Sequence, residues 1–429
     1  MEERMLPTGW ELVRLDSLTR FKSGFACAKK NLVEKGQGIP HLRPFNVGTN
    51  GELDFSEIYH VPKDFKDDIE NYYLEPGDVL FNNTNSVELV GKTAIVRESV
   101  LGGFSNHITR LQMKDGVFVE PRWIALALRN LWMASYFAGR CNRWIGQAGF
   151  NTGMLAQVEV PIPYPDTPSQ SLAVQRRVIA RVEALLSEVN DAREMHWRLV
   201  KDTGRLMEAV LREAFPELDE GPDPSWTFIP LSSIGDVIGG GTPSKADPRY
   251  WGGAVPWVSP KDMKCIVIED SQDHISQLGL EESSAKLIPT GAVLIVFRSG
   301  ILAHSLPIAV SMRPLTVNQD LKAIVPREDL DPLYAAYALI ARSQAILSRC
   351  VKKGATVHSL DSSRFWEELI PLPFPSDRDL SLRTQRGIVT YLDTVRAEID
   401  AMQETQEQDK LLLEQLEQSI LVQAFRGEL

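Results

Sequence analysis

A chain of 429 residues exceeds what one ordinary hydrophobic core supports and suits two or three domains. With 43% hydrophobic and 24% charged residues it reads as a globular chain, and a formal net charge of −11 argues against a protein that coats nucleic acid by bulk attraction. The longest strictly apolar run, Ala292 to Phe297, is far short of a membrane span, and the opening MEERMLPTGW has neither a basic nor an apolar leader segment, so a cytoplasmic protein without membrane contact is expected.

Residues 1 to 165 carry short β-prone runs, GDVLFNN from Gly77 and GKTAIV from Gly91, and a helical pattern, PRWIALALRNLWMASYF from Pro121, with proline in its first turn. The stretch SVELVGKT from Ser86 is a near miss to a phosphate-binding loop, but Ser86 replaces the first glycine and a strand-like run follows Thr93, so it reads as a turn. The closing VEVPIPYP excludes a central strand or a helix and places a domain boundary near Pro165.

From Leu172 to Arg212 apolar residues recur at steps of four and three: Val178, Val182, Leu185, Val189, Ala192, Leu199, Leu206 and Val210. That is the seam of a helix packed lengthwise against another. Polar His196 falls within it and is expected to help fix register.

After PELDEGPDPSW, a linker by composition, the first region begins again. Trp10, Leu15 and Pro40 reappear as Trp226, Leu231 and Pro256; Pro121 reappears as Pro332, and Pro161 and Pro163 as Pro371 and Pro373. The helical seam returns as Ile388, Leu392, Val395, Ile399, Met402, Leu413, Leu416 and Ile420, with Gln406 in the place of His196. Gln175 and Arg176 match Gln385 and Arg386, while Ala214 and Phe215 match Ala424 and Phe425. A tandem duplication follows. The expected organisation is a variable domain at 1–165, a helix and linker at 166–222, a second variable domain at 223–376 and a second helix at 377–429. Each domain is mixed α and β, giving an α+β chain whose two helices pack as an antiparallel coiled coil with pseudo-twofold symmetry.

Charge follows the same division. Lys plus Arg against Asp plus Glu is 18 to 19, 8 to 11, 14 to 16 and 6 to 11 in the four segments, so the helical segments hold −8 of the −11 and the domains are nearly neutral. Cys27, Cys141, Cys265 and Cys350 stand apart without a CxxC pair, which points to buried free thiols and to neither disulfides nor a zinc site. No Pro-Pro dipeptide is present, so the D/N-P-P-F/Y element of adenine methyltransferases is missing, and seven scattered histidines include no HExxH pair. No catalytic residue and no metal ligand is expected.

Three stretches carry a resemblance: GGGTPSKADPRYWGGAVPWVSPKDM from Gly239, GATVHSLDSSRFWEELIPLPFP from Gly354 and the terminal AFRGEL. With the alternation of domains and helices, they resemble the DNA-specificity subunits of type I restriction-modification systems. The first half departs from the pattern, reading KSGFACAKK and IPHLRPFNV, as two domains that read different DNA would. The resemblance implies a non-catalytic reader of a bipartite site in double-stranded DNA. Its helices would dock two methyltransferase subunits, with restriction and translocase subunits joining from outside. S-adenosylmethionine, ATP and magnesium would be needed only in those partners. A related system with a fused methyltransferase-nuclease partner is the nearest alternative; a coiled-coil scaffold for protein partners is the alternative from another class.

Reading bases requires side chains with paired hydrogen-bonding groups or a matching charge. In the first domain the candidates are Lys22, Arg43, Asn46, Asn82, Asn83, Asn85, Asn106, His107, Arg140, Arg143, Gln147 and Asn151. In the second they are Ser244, Lys245, Lys261, Asp262, Lys264, Arg298, Ser299, Asn318, Gln319, Lys352, Lys353, Thr356 and His358. Lys352 and Lys353 suit phosphate, and Trp144 reads as a packing residue.

Overall fold

The computed structural model describes residues 6–217, 224–354 and 357–429, which form two compact units. The first comprises residues 1–197 and 407–429, the second 198–406. Each long helix therefore divides its length between both units.

In the first unit, strands Thr19–Ser23, Ile108–Met113, Val79–Asn82 and Thr93–Ile95 form an antiparallel sheet in that order. Side chains alternate across a strand. Val79, Phe81 and Leu111 thus enter one core with helix α1 (Pro121–Met133), while Leu80, Ala94 and Ile108 join Leu42 and Phe104 on the opposite face. Burial on both faces explains why Val79, Leu80 and Phe81 are apolar without alternation. The proline-rich strand Glu159–Pro163 pairs with Trp10–Arg14 in a separate two-stranded ribbon, where missing N–H groups cost little.

The second unit repeats these parts. Gly235–Gly239, Leu321–Pro326, Val293–Val296, Ile308–Ser311 and Val267–Ile268 make a five-stranded sheet, and Trp226–Pro230 pairs with Leu369–Pro373. Helix α3 (Pro332–Ala341) occupies the place of α1, its first turn capped by Asp331, whose Oδ1 accepts from the Leu333 and Tyr334 amides.

The long helices are α2 (Pro168–Ala214) and α4 (Arg378–Phe425), 47 and 48 residues. At 1.5 Å per residue each is about 70 Å long. Their matching Gln-Arg pairs have a structural purpose. Gln175 accepts from the Glu120 amide at 2.9 Å, and Gln385 accepts from the Asp331 amide at 2.8 Å, so each buried glutamine clamps the residue before the helix packed beside it.

The seam differs from the strict heptad reading. Val178, Val182, Val189, Val210, Leu392, Ile399 and Ile420 are buried, and Leu185, Ile388, Val395 and Leu413 are half-buried, but Leu199, Leu206, Met402 and Leu416 are exposed. The seam is buried again beyond them, at Val210 and Ile420, where each helix enters a domain core. Leu186 and Glu417 are buried and Met207 is half-buried, although none belongs to the heptad series. Of the cysteines, Cys27 and Cys350 are buried, Cys141 is intermediate and Cys265 is exposed, so the expectation of buried thiols holds for two.

Glu417 is the least expected of the seam residues. It is buried, and its two carboxylate oxygens are shared between Arg129 of α1 and Arg193 of α2. At the matching places the second unit has Met207, Ile340 and Gln403, so the ionic cluster belongs to the first unit alone among these repeated positions. A second buried group in this unit is His41, whose Nε2 lies 3.2 Å from the Phe25 carbonyl and whose ring packs tilted against that of Phe25, centroids 4.7 Å apart. Burial, with the Arg43 charge nearby, pushes its pKa down from 6.5 to about 4.

Removing Glu417 leaves two guanidinium groups without their counter-ion, and Glu417→Ala is expected to cost about 3–5 kcal/mol in the first unit. The triple change Glu417→Met, Arg129→Ile, Arg193→Gln, which installs the second unit's residues, should recover most of that loss; urea unfolding read by hydrogen exchange in α1 checks both. For His41 the unfolded chain takes up a proton near pH 6.5 and the folded chain only near about 4. Its contribution is therefore complete above that range and falls as the pH drops from 6.5 to 4, by up to about 3 kcal/mol. In His41→Gln, whose amide can still donate to Phe25, the pH slope of the urea midpoint over this interval should shrink.

Candidate nucleic-acid interface

At one end of the first domain the sheet runs out into loops that hold most of the candidate residues. Asn82 is fully buried; with its amide oriented to satisfy both ends, it donates to the Thr84 and His107 carbonyls and accepts from Asn85. Asn83 is buried as well, donating to the Asn106 carbonyl at 3.1 Å and to Thr109 Oγ1 at 2.9 Å. Asn46 accepts from the Arg43 amide at 2.8 Å and donates to the Asp54 and Glu57 carbonyls, each at 2.7 Å. Asn151 caps a short helix by accepting from the Met154 amide. Asn85 accepts from the Ser86 amide at 2.8 Å. The asparagines thus hold the loops in shape, with Asn46, Asn82 and Asn83 closed to an outside ligand as the loops stand; the local pull of short amides on nearby backbone accounts for this.

Other candidates reach the surface. Asn106 is exposed beside half-buried His107, whose pKa is lowered by burial and by Arg43. Arg43 donates to the Cys27 carbonyl at 2.7 Å and leaves its buried Nε without a partner. Lys22 donates to the Asn71 carbonyl at 3.0 Å with its ammonium 4.2 Å from the Tyr72 ring, an anchored rather than a searching cation. Arg140 stacks on Tyr136 at 4.1 Å, and Arg143 donates to the Ala138 carbonyl at 3.0 Å; both are exposed, as is Gln147.

Arg143 and Gln147 share a hairpin that periodicity did not reveal. Asn142–Trp144 pairs with Gln147–Gly149, which pairs in turn with Thr84–Asn85. The asparagine loop and the basic hairpin are therefore one three-stranded sheet. Runs of three residues are too short for an alternating pattern to be read, although the tip glycine, Gly146 at φ +75°, is a turn signal.

The second domain builds the same device. Val351–Lys352 pairs with His358–Leu360, which pairs with Arg298–Ser299. Arg298, Lys353, Lys245, Lys261 and Lys264 are exposed, and so are Ser244 and Gln319. Lys352 is bound to Asp361 at 3.0 Å, and half-buried His358 accepts from the Gly354 amide at 3.3 Å. Asp262 is committed to its own loop, accepting from the Ser259 amide and hydroxyl and from the Gln272 amide. Asn318 is buried and bonds to Asp320, and Ser299 accepts from the Ile301 amide at 3.4 Å. Thr356 lies outside the described residues.

The GGGTPS turn packs two of its glycines against backbone. A Cβ on Gly240 would sit 1.8 Å from the Asn318 carbonyl oxygen and one on Gly241 2.2 Å from that of Ser284, so glycine serves close backbone approach. The stretch after Ser86 is a turn followed by strand Thr93–Ile95, with Lys92 buried and donating to the Val47 carbonyl at 2.5 Å. Among the described residues no group of three or more His, Cys, Asp or Glu is placed to hold a metal, and no helix is long and apolar enough to cross a membrane.

Comparison with known proteins agrees with this duplicated plan. The model of the type I restriction modification DNA specificity domain matches residues 7–189 and again 224–411. The specificity subunit of the Escherichia coli type I restriction enzyme EcoR124I/EcoR124II is 35% identical over 242 residues, 56% of this chain and 55% of the relative. That of the Methanocaldococcus jannaschii enzyme MjaIX is 31% identical over 168 residues, 38% of each chain. The chain thus spans about half or less of these relatives' lengths. It also resembles two solved structures at 22% identity over 99% of its length: a chain from a structural study of assembly and conformational transition in the type I restriction-modification system (99% of that chain, TM-score 0.77) and the HsdS subunit from Thermoanaerobacter tengcongensis (98% of that chain, TM-score 0.58). Two matched copies spanning most of the sequence, on a fold in which each domain carries the same small three-stranded sheet, show that the chain belongs to the family of type I restriction-modification DNA specificity proteins.

Proposed function

We propose that the chain is the non-catalytic reader of a bipartite site in double-stranded DNA, one half-site per domain. The observation that carries this reading is the repetition, in each domain, of a three-stranded sheet with exposed cations, Arg143 in the first and Arg298 and Lys352 in the second, beside buried asparagines, Asn82 and Asn83 in the first and Asn318 in the second. A stiff frame suits base readout, because paired hydrogen bonds to base edges need fixed donors. The near-neutral charge of both domains implies weak binding by the isolated chain, since phosphate attraction supplies most affinity.

The long helices are proposed to set the distance between half-sites and to dock methyltransferase subunits, two in the family's plan, with restriction and translocase subunits completing the assembly. Chemistry requiring S-adenosylmethionine, ATP or magnesium would reside in those partners. Supporting the docking role, Met195, Leu199 and Val200 on α2 and Leu411, Leu412 and Leu416 on α4 expose apolar side chains that this chain does not cover.

Replacing residues 1–165 with those of a relative should change one half of the methylated sequence and leave the other half intact; a methylome of cells carrying the chimera reads this directly. Inserting four residues into one long helix adds about 6 Å, against about 3.4 Å per base pair. The preferred spacer should lengthen by one or two base pairs with both half-sites unchanged, and an unaltered spacer would refute the spacing role.

A further inference from the structure

The tip of the first domain's hairpin is apolar in a setting that is otherwise polar. Its strands pair Asn142 with Gly149, Arg143 with Ala148 and Trp144 with Gln147, leaving Ile145 and Gly146 as the turn. Ile145 is fully exposed, and a Cβ added at Gly146 would meet nothing, so the turn projects into open space. Trp144 is 60% exposed, contrary to its reading as a packing residue. Its ring nonetheless lies across Gly149, where an added Cβ would come within 2.8 Å of it.

The base beneath this tip is rigid. Ala148, Gly149 and Phe150 are buried, Phe150 packs against Phe137 at 5.0 Å and Phe81 at 6.0 Å, and its amide donates to the Asn83 carbonyl at 2.8 Å. A branched aliphatic side chain is therefore held at the end of a braced two-strand lever, beside the loops that carry Asn106 and His107.

Charge indicates what the lever meets. No Asp or Glu occurs between Glu120 and Glu159 in a chain that has 57 of them, and Arg140 and Arg143 flank the hairpin. Glu88 is the carboxylate that feels Arg143 from the neighbouring turn. Cations at the base of a projecting apolar tip, in a stretch free of carboxylates, fit a polyanion whose interior is apolar, as in stacked base pairs between phosphate strands.

We propose that Ile145 is a wedge that enters the base stack in or beside the first half-site, with Trp144 as its buttress and Arg140 and Arg143 on the flanking phosphates. This rests on the reading of the chain as a DNA-recognition protein. Wedging partly unstacks one step and is easiest at flexible pyrimidine–purine steps. Ile145 would then select sequence through deformability, at a step where it makes no hydrogen bond. In the second domain the corresponding tip includes residues 355 and 356, outside the described residues, and the proposal is confined to the first.

The test uses the full chain assembled with its methyltransferase subunits and the duplex identified from the methylome, with 2-aminopurine placed in turn at each position of the first half-site and its flank. Wild-type complex should brighten the probe severalfold at one step that Ile145→Ala and Ile145→Ser leave dark, while Ile145→Leu keeps the signal. Affinity should fall about tenfold in the two polar or truncated variants, with probes in the second half-site unchanged. Thermal unfolding and subunit assembly should match wild type, since Ile145 touches no core residue. Identical probe profiles in wild type and Ile145→Ala would overturn the wedge while leaving DNA recognition intact, and so would a loss of subunit assembly, which would make the tip a protein contact. Failure of the wild-type complex to bind any duplex would instead overturn the DNA reading on which the wedge rests.

Discussion

The last turn of each long helix is a plug in the core of a domain. In the first unit Phe425 meets Trp123 edge-on at 4.9 Å, and in the second Phe215 meets Tyr334 at 5.5 Å. Each aromatic reaches the same position of the helix beside it, α1 or α3, and each is buried with the alanine or leucine residues of its own turn. For Phe425 the contact closes some three hundred residues of chain, so the core of the first domain is incomplete without Ile420, Leu421, Ala424 and Phe425. Burial of such rings dominates core energetics. The domains therefore depend on the helices for stability as much as the helices depend on the domains for position.

Two nearly identical plugs pose a problem of choice, because apolar contacts alone discriminate weakly between similar shapes. The shared carboxylate of Glu417 between Arg129 and Arg193 supplies a difference. Met207, at the same place on the other helix, could not satisfy the buried guanidinium of Arg129. A buried ionic cluster is a poor source of stability compared with apolar packing, but an unpaired buried charge is costly, and that asymmetry can fix which segments pair.

The recognition ends divide labour in a comparable way. Short amides that could address a base are instead turned inward, where Asn46, Asn82 and Asn83 bind backbone carbonyls and set the loop shapes. Longer side chains on the small sheets remain outside. This is a physical reason why residue type alone overstates a contact surface: a short amide near a turn finds its own backbone before it finds a ligand, whereas arginine, lysine and glutamine extend past it.

The duplication, the mixed α and β content and the two long helices were legible in the sequence because they rest on periodicity and on matched residues such as Gln175 with Gln385 and Phe215 with Phe425. Local rules determine such features, since the spacing of apolar residues is itself the cause of the helix. What only the tertiary structure decided were relations between distant segments. Leu199, Leu206, Met402 and Leu416 keep the heptad spacing and are nonetheless exposed, because burial is set by which parts of each helix the domain cores cover. Glu417 found Arg129, 288 residues away, and the hairpin at Ile145 joined the strand at Thr84. No sequence period encodes those meetings; packing does, since a side chain's partner is fixed only when the surfaces around both are closed.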